Sequence, residues 1–207
     1  MYVPPKFAEP DNAVLRDFVD RHPFAVLLTQ AAAGDTAVSH VPAIFPDGRT
    51  DILHAHLAAA NPQARNADGA TATAIFSGPH GYVSPTWYET GPAVPTWNYA
   101  AVHVVGPVRV LTDEADRRAV LRGLAQRFET PGPGAWDFDA LPPEFRGGQM
   151  NAIVVLEIAV ERLIGKFKLS QNRPAEDRAG VVRHLERSDR PDDRSLAALM
   201  RSRPGIV

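Results

Sequence analysis

Apolar residues near the N-terminus are spaced for a helix. Four of them recur three and four positions apart on one face, behind an Asp11 that can cap the helix: Val14, Leu15, Phe18 and Val19. From residue 24 the spacing becomes that of strands. Apolar or alternating runs, bounded by Gly, Pro, Asn and Asp, occupy residues 24–29, 36–45, 51–57, 70–76, 81–84 and 95–111. The first two runs indicate a β-hairpin with its turn at residues 31–35.

Turn residues inside and between these runs predict where the strands change. Gly78-Pro79 is expected to end one strand, and Gly106-Pro107 is expected to introduce a bulge or bend into another. Asn61 can cap a helix of one or two turns, because Pro62 suits its first position. A longer helix is expected to run from a Thr112 cap to Phe128.

The last third of the chain contains one long β-like stretch, a brief turn and two short helical segments. A brief turn is expected at 142–145, and residues 152–170 read as a strand with a kink at Gly165. Two short helices are expected at 176–187 and 192–201. We therefore expect a barrel domain at 1–174 and a helical appendage at 175–207, packed on the same domain.

Short strands that follow one another without crossover helices favour an antiparallel sheet. A doubly wound parallel sheet needs a crossover of a dozen or more residues between strands, and residues 24–111 offer only the short segment after Asn61. The pattern predicts an α+β fold, mainly β, in which about six strands form a closed or partly closed antiparallel barrel.

Composition narrows the chemistry. The 207 residues include no cysteine, which excludes disulfides, thiolate catalysis and Cys-ligated metals. The net charge is −2, although residues 173–207 carry eight Arg against six acidic residues. This bias is too weak to identify a nucleic-acid-binding protein. No apolar stretch is long enough to cross a membrane and no leader is evident, so we expect a cytoplasmic protein with no membrane partner.

Histidines offer the one plausible metal cluster. His54 and His56 lie two apart on a predicted strand and so share a face, and His40, His80 and His103 are the others that could join them. No HExxH motif or carboxylate at ligand spacing accompanies them, so we predict no metal. The chain also lacks a G-x-S-x-G elbow and any glycine-rich phosphate loop, which leaves hydrolase and Rossmann chemistry unsupported.

Aromatic residues are concentrated in one short stretch. Five of the sixteen lie within eighteen residues, interleaved with hydroxyl and amide side chains: Tyr82, Trp87, Tyr88, Trp97 and Tyr99. Aromatic faces beside directed polar groups suit a planar heteroaromatic ligand. An ordinary core with a subunit interface is the alternative, since Trp and Tyr are enriched at interfaces.

A second informative stretch lies at residues 165–174, GKFKLSQNRP. Strand alternation places Lys166, Lys168 and Ser170 on one face, immediately before Gln171-Asn172-Arg173. Such a face can hold a phosphate or the anionic edge of a flavin, with lysine as a compact charge and Arg173 as a bidentate donor. A solvated strand edge protected by lysines is the alternative.

Several blocks of sequence together resemble a known family. They are MYVPPKF at the N-terminus, HPFA at His22–Ala25, SHVP at Ser39–Pro42, HLAAANPQ at His56–Gln63, IFSGPHGYVSPTWY at Ile75–Tyr88, VPTWNY at Val94–Tyr99 and GKFKLSQNRP at Gly165–Pro174. In order and over nearly the whole chain, they resemble the PaiB-type, FMN-binding negative transcriptional regulators. The resemblance implies a six-stranded antiparallel split β-barrel of the pyridoxamine-phosphate-oxidase-like type, with peripheral helices and a C-terminal helical appendage. It also implies a homodimer with FMN between the subunits.

The resemblance also implies which residues approach the cofactor. The phosphate and ribityl side would comprise Ser39, His40, His54, His56, Asn61 and Gln63. The ring and the pocket beside it would comprise Trp87, Trp97, Asn98, Tyr99, Lys168, Ser170, Gln171 and Asn172, with Lys166 and Arg173 from the same segment.

This chain departs from the family pattern at two positions. The HLAxANP block usually carries Arg where this chain has Ala59, and often Trp where it has Ala64. Loss of a cation beside a phosphate forfeits about 1.5–3 kcal/mol, which is roughly ten- to a hundredfold in affinity. We therefore expect weakened FMN binding, offset in part by the histidines.

Three functions remain open at this point, and the least specific is a cofactor-free dimer whose aromatic groove binds something else. The first is a flavin-binding regulator, which acts on DNA or on another protein. The alternative is an FMN-dependent oxidoreductase that acts on a small metabolite, in which the cofactor performs the redox step. No basic helix-turn-helix signature is evident, so contact with DNA follows from the resemblance alone.

Overall fold

The structure is a computed structural model that describes residues 1–31, 34–132 and 134–203. The α-helices of these residues are α1 Asn12–Arg21, α2 Pro62–Arg65, α3 Glu114–Phe128, α4 Pro143–Asn151, α5 Ala175–Glu186 and α6 Pro191–Ser202. The strands are β1 Ala8–Glu9, β2 Phe24–Gln30, β3 Thr36–Ile44, β4 Ile52–Ala58, β5 Thr71–Val83, β6 Thr96–Leu111, β7 Ile153–Ala159 and β8 Arg162–Lys168. Short 3₁₀ turns occupy Pro5–Phe7, Pro85–Trp87 and Phe138–Ala140.

The chain divides into two compact units. The first unit contains residues 1–18, 77–102 and those from 164 onward, and the second contains residues 19–76 and 103–163. The segment after residue 174 thus belongs to the first unit. The division of the chain at residue 174 stays a prediction. Within the described residues, no helix combines the length and the apolar character needed to cross a membrane.

The second unit is built on a ring of antiparallel strands. Their order is β5-β2-β3-β4-β7-β6, and β6 also neighbours β5, so six strands close on themselves. Alternate residues of each strand point inward and form the core, as Leu27, Leu53, Phe76, Leu156 and Ile158 do. Most of the inward positions are apolar, because removing apolar side chains from water stabilises the fold.

Helix α3 covers part of the outer face of this ring. Its Val120 and Leu124 pack with Ile44, Leu111 and Val155, which point outward from three strands. Asp113 begins the helix by accepting a hydrogen bond from the Asp116 amide at 3.0 Å. The predicted cap, Thr112, is therefore wrong by one residue, because the helix uses the carboxylate that follows it.

The first unit contains the remaining strands and the C-terminal helices. β1 pairs with β8 through Ala8↔Lys166 and Glu9↔Gly165, and β8 lies beside β6. Helices α5 and α6 bury one apolar face each, with Val181, Leu185, Leu196 and Met200 almost completely covered. These two helices are therefore part of a packed core.

The predicted fold class is confirmed, with differences in the strands. Within the described residues, the sheet has eight strands, six of them in the ring. The two-residue β1 is too short to show a sequence pattern, and residues 152–170 form two strands that separate at 160–161. The predicted break at Gly78-Pro79 is wrong, since β5 runs through it. The hairpin of β2 and β3 is confirmed, while its turn includes residues 32 and 33, which lie outside the described residues.

Two glycines that were expected to bend strands allow neighbouring atoms to pack closely against them. A Cβ on Gly106 would collide with the Ala159 carbonyl, and one on Gly165 would collide with the Leu15 side chain. Gly106 lies inside β6 and Gly165 inside β8, and the predicted bulge or bend at Gly106-Pro107 and the kink at Gly165 stay predictions. The predicted turn at 142–145 is the start of helix α4, which continues to Asn151.

Candidate functional site

A group of polar side chains surrounds the start of helix α2 in the second unit. We call Ser39, Asn61 and Gln63 the polar set. The Asn61 side chain caps the helix by accepting a hydrogen bond from the Gln63 amide at 2.9 Å, and its Nδ2 donates to Ser39 Oγ at 2.8 Å. The sequence Asn-Pro fits this geometry, because Pro62 supplies a helical φ and needs no amide partner.

Gln63 holds the polar set to the strands. Its side chain is 3% exposed, and its Nε2 lies 3.1 Å from both the Leu27 carbonyl and Thr29 Oγ1, as well as 3.3 Å from the Ala37 carbonyl. Its Oε1 is buried without a partner. A buried acceptor left unpaired costs stability, so an unpaired oxygen here marks a place where a donor fits.

Strand register separates the predicted histidines from the polar set. Ser39 lies opposite Leu27 and so faces inward, whereas His40 lies opposite Val26 and faces outward, where it stacks on Phe24 at 6.2 Å. His54 and His56 share the outer face, as predicted from their spacing. Of the six predicted phosphate-side residues, the structure brings Ser39, Asn61 and Gln63 together and places the three histidines on the other face.

His54 belongs to a polar row across three strands. Its Nε2 lies 3.3 Å from Glu157 Oε2, and Arg109 Nη2 donates to Glu157 Oε1 at 2.8 Å. Burial lowers the pKa of His54 and also that of His56, whose Nδ1 has no partner. Burial alone would raise the pKa of Glu157, but hydrogen bonds from Arg109 and His54 outweigh it and lower that pKa. Within the described residues, no group of three or more His, Asp or Glu could hold a metal.

Five rings of the first unit form a continuous series, which we call the aromatic row. Its members, in order, are His80, Trp97, Tyr82, Trp87 and His184. Successive ring centroids are 6.2, 6.3, 6.5 and 5.1 Å apart. The Trp97 and Tyr82 side chains are 48% and 40% exposed. The row therefore presents open aromatic faces. The sequence had placed Trp87 and Trp97 near the flavin ring and Tyr82 in the aromatic stretch, had indicated His80 only as a possible metal ligand, and had given no signal for His184.

The predicted lysine face lies beside this row. Lys168 Nζ donates to the Trp97 carbonyl at 2.5 Å and to Thr96 Oγ1. Burial, reinforced by the charge of Lys166, lowers the pKa of Lys168. Lys166 Nζ lies 5.2 Å from the centre of the Tyr99 ring. Both lysines are thus close to residues from the aromatic stretch, as the sequence predicted.

Ser170 does not share the lysine face. The strand ends at Lys168, and Ser170 has a left-handed backbone with φ +65°, which turns its side chain into the core. There its Oγ accepts a hydrogen bond from Asn98 Nδ2 at 2.8 Å, while Asn98 Oδ1 is buried without a partner. The predicted alternation is therefore wrong at this one position, and a buried Asn98–Ser170 pair replaces it.

The residues after Ser170 close the end of the strand. Gln171 Oε1 accepts from the Leu169 amide at 2.7 Å, and its Nε2 donates to the Phe167 carbonyl. The Arg173 guanidinium lies 4.4 Å from the centre of the Tyr88 ring. Asn172 is exposed. Gln171 therefore supports the backbone, and Arg173 supports the aromatic stretch.

A closed six-stranded antiparallel ring with peripheral helices defines the class of split-barrel proteins. A family model described as "Putative FMN-binding domain" matches residues 1–162 of the chain. The chain therefore belongs to this family of FMN-binding domains. The cofactor prediction, FMN, is confirmed at this level, and the chain is a flavin-binding split barrel.

A relative agrees with this family assignment, and solved structures agree with the fold. The Bacillus subtilis protein "Protease synthase and sporulation protein PAI 2" is 31% identical over 204 residues, which cover 97% of this chain and 96% of the relative. The flavocytochrome Anf3 from Azotobacter vinelandii has a TM-score of 0.61 at 17% identity, over 78% of this chain and 69% of that chain. The FAD and heme binding protein from Mycobacterium smegmatis has a TM-score of 0.55 at 16% identity, over 78% and 73%. At these identities, the two structures show the fold alone.

The side chains of both units fit the groups of FMN. Hydroxyl and amide donors such as Ser39 and Asn61 match a phosphate or ribityl chain, and the unpaired Gln63 oxygen is of the acceptor type that a ligand hydroxyl requires. The open faces of Trp97 and Tyr82 match a planar ring. Bound FMN supplies redox or light-absorbing chemistry, and the chain supplies stacking surfaces, hydrogen bonds and nearby cations.

Proposed function

We propose that the chain works as a homodimer that holds FMN between its two copies. The phosphate and ribityl chain would lie at the polar set of one copy, and the ring would lie against the aromatic row of the other. Within a single copy, each set belongs to a separate unit, and each has what its part of the ligand requires. The family resemblance supports the dimer, and the chemistry of the two sets supports the assignment of their ends.

The observation that carries this proposal is the aromatic row with its exposed members. Trp97 and Tyr82 expose nearly half of their surface, and apolar surface in contact with water is unfavourable. Stacking on a planar ligand would remove part of that surface from water. Lys166 and Lys168 lie next to the same rings and are two of only three lysines in the chain. A planar ligand with an anionic edge matches this combination.

The first experiment titrates the purified protein with FMN and follows flavin fluorescence, with sizing of the same samples. Trp97→Ala is expected to weaken binding about tenfold, the equivalent of about 1.4 kcal/mol of stacking. Phe128→Ala is the control, because Phe128 is equally exposed but belongs to the second unit. Equal effects of the two variants would contradict the assignment of the ring end, and a monomer that binds FMN with full affinity would contradict the dimer.

The phosphate end is tested by restoring the missing cation. Ala59 is exposed two residues before Asn61 of the polar set, so Ala59→Arg is expected to tighten FMN binding roughly ten- to a hundredfold through one charge-assisted hydrogen bond. Ala60→Arg adds the same charge one residue away at another exposed position. Equal tightening by both variants would indicate general charge attraction and would count against the placement of the phosphate.

We further propose that the FMN-binding dimer serves transcriptional regulation, the role that the resemblance implies. Direct contact with DNA predicts salt-dependent retardation of an operator fragment, which weakens when Arg183, Arg187 and Arg194 are neutralised together. Two of these arginines already have partners, since Arg183 binds Glu89 and Arg194 donates to the Ser188 carbonyl. Steady turnover of NAD(P)H by the flavin-loaded protein would favour an oxidoreductase over this role.

A further inference from the structure

We infer that helix α5 is a positioning element for the aromatic row: Asp177, Gly180 and His184 fix Trp87 in its place. This inference rests on the proposed function, because the aromatic row is the proposed ring site. It assigns a role to residues that lie beyond the segment matched by the family model, which ends at residue 162.

Asp177 fixes the segment that follows Trp87. Its carboxylate is completely buried, with 0% of the residue exposed. Oδ1 accepts hydrogen bonds from the backbone amides of Glu89 and Thr90 at 2.8 and 3.0 Å, and Oδ2 accepts from Thr90 Oγ1 at 2.7 Å. A buried carboxylate that receives three donors holds them firmly, because each of them would otherwise lose its partner.

Gly180 brings the helix and Trp87 into direct contact. A Cβ at this position would collide with the Trp87 carbonyl oxygen, so any larger residue would push the backbone of Trp87 away from α5. Gly180 lies inside a helix, where glycine is less favourable than alanine. The close approach of α5 to the Trp87 backbone, which only glycine permits here, offsets this disadvantage.

His184 fixes the side chain of Trp87. The imidazole stacks on the indole with ring centroids 5.1 Å apart and planes only 4° from parallel. His184 Nδ1 lies 2.9 Å from the Gly180 carbonyl one turn earlier, which fixes the imidazole in turn. The three contacts reach Trp87 from the ring, from its own carbonyl and from the residues after it.

The contacts are arranged on one face of the helix. Asp177, Gly180 and His184 are spaced three and four residues apart, so all three point to the same side. Arg183 adds an exposed ion pair to Glu89 at 3.1 Å. A helix that only completed a hydrophobic core would need no such polar and steric match to a single loop.

The experiment combines two pairs of variants with two measurements. Gly180→Ala is compared with Gly123→Ala, since a Cβ on Gly123 meets no atom within 4 Å. His184→Ala is compared with His184→Phe, which restores a flat ring. FMN affinity is measured in the otherwise unchanged protein. Trp87 emission and acrylamide quenching are measured without ligand in chains that also carry Trp97→Phe and Trp136→Phe, which leave Trp87 as the single tryptophan.

We expect Gly180→Ala and His184→Ala to weaken FMN binding about five- to tenfold and to expose Trp87 to the quencher. Gly123→Ala and His184→Phe should stay within about twofold of the parent protein on both measurements. Altered Trp87 emission with unchanged FMN affinity would overturn the inference while the proposed function stands. Absence of FMN binding in the parent protein would instead overturn the proposed function itself, and the inference with it.

Discussion

Two buried polar side chains anchor short segments in the two units, and they differ in what they leave unpaired. In the first unit, Asp177 uses both carboxylate oxygens to hold Glu89 and Thr90. In the second unit, Gln63 uses its amide nitrogen to hold α2 against strands β2 and β3, but its Oε1 remains without a partner. Both side chains are at least 97% buried.

The comparison separates support from recognition. Both oxygens of the buried Asp177 carboxylate are already paired with groups of the loop, so Asp177 acts on the shape of the loop. An unpaired buried acceptor is a cost that a bound donor removes, so Gln63 is suited to contact the ligand. The following predictions test this difference, beginning with the largest effect.

Replacing Asp177 with alanine should cost the most stability. The change leaves two backbone amides and one hydroxyl of the loop without their buried acceptor, so we expect a loss of about 3 kcal/mol in the free energy of unfolding. Urea denaturation of the ligand-free protein measures it. Asp192→Ala, at an exposed position in the first turn of α6, should change the midpoint little.

The same carboxylate should also shape the acid limb of stability. Burial would raise the pKa of Asp177, but the hydrogen bonds from Thr90 and Glu89 outweigh it and lower that pKa below the ordinary 3.8. A carboxylate whose pKa is lowered by folding contributes stability that is fully present above pH 3.8. This stability is lost as the pH falls through the pKa of the folded state. Asp177→Asn should therefore flatten the dependence of stability on pH below 3.8, and an unchanged slope would contradict this assignment.

Replacing Gln63 with leucine should cost less stability and more affinity. Leucine abandons the hydrogen bonds to Leu27, Thr29 and Ala37 but also removes the unpaired oxygen, so we expect a loss of about 1–2 kcal/mol on unfolding. FMN affinity should fall about tenfold, because the ligand then loses a buried acceptor. Gln149→Leu is the exposed control. If Gln63→Leu cost more stability than Asp177→Ala while FMN bound normally, the contrast between the two anchors would be wrong.

A smaller effect is expected from His54. Burial lowers the pKa of its imidazole below 6.5 even though Glu157 favours the charged form. The unfolded chain therefore binds the proton more readily, and stability should fall as pH decreases from 6.5 through the lower folded-state pKa. His54→Gln should reduce this loss between pH 7 and 5 in urea denaturation. A stability that rises over this range in the parent protein would show that Glu157 dominates burial.

The smallest effect belongs to an exposed pair. Hydrogen bonding to Arg49 lowers the pKa of Asp51 to about 2, and both side chains are more than half exposed. Solvent screens such pairs, so Asp51→Asn should leave the urea midpoint within experimental error. Titration of the Asp51 carboxyl by NMR checks the pKa. A clear change in the urea midpoint would show that a low carboxyl pKa marks a stabilising carboxylate even at an exposed position. That result would contradict the distinction between the exposed Asp51 and the buried Asp177.

The local features of the fold follow from sequence, and the features that depend on distant residues do not. Alternation predicted strands β2 to β4, and the Asn61-Pro62 pair predicted the start of α2. The close neighbours of Gly106 and Gly165 were not predicted, because the atoms that a side chain there would meet belong to Ala159 and Leu15. A glycine does not reveal in sequence whether it serves a turn or a close neighbour.

The candidate site shows the same limit. The aromatic stretch identified Trp87 and Trp97 by local density, but His184 lies 97 positions after Trp87, and a single helical histidine carries no local signal. Ser39 and His40 are adjacent in sequence and point to opposite faces of one strand. Which face is inward depends on pairing with β2, which only the three-dimensional register supplies.

The Asp177 hydrogen bond also sets an order of events during synthesis. Thr90 and its anchor are separated by 87 positions, so at 5–20 residues per second the loop emerges roughly 4 to 17 seconds before the carboxylate that holds it. Until then, no α5 exists against which Trp87 can stack. Synthesis must therefore pass His184 before the aromatic row is complete, and a nascent chain stalled before residue 175 carries that surface without its support.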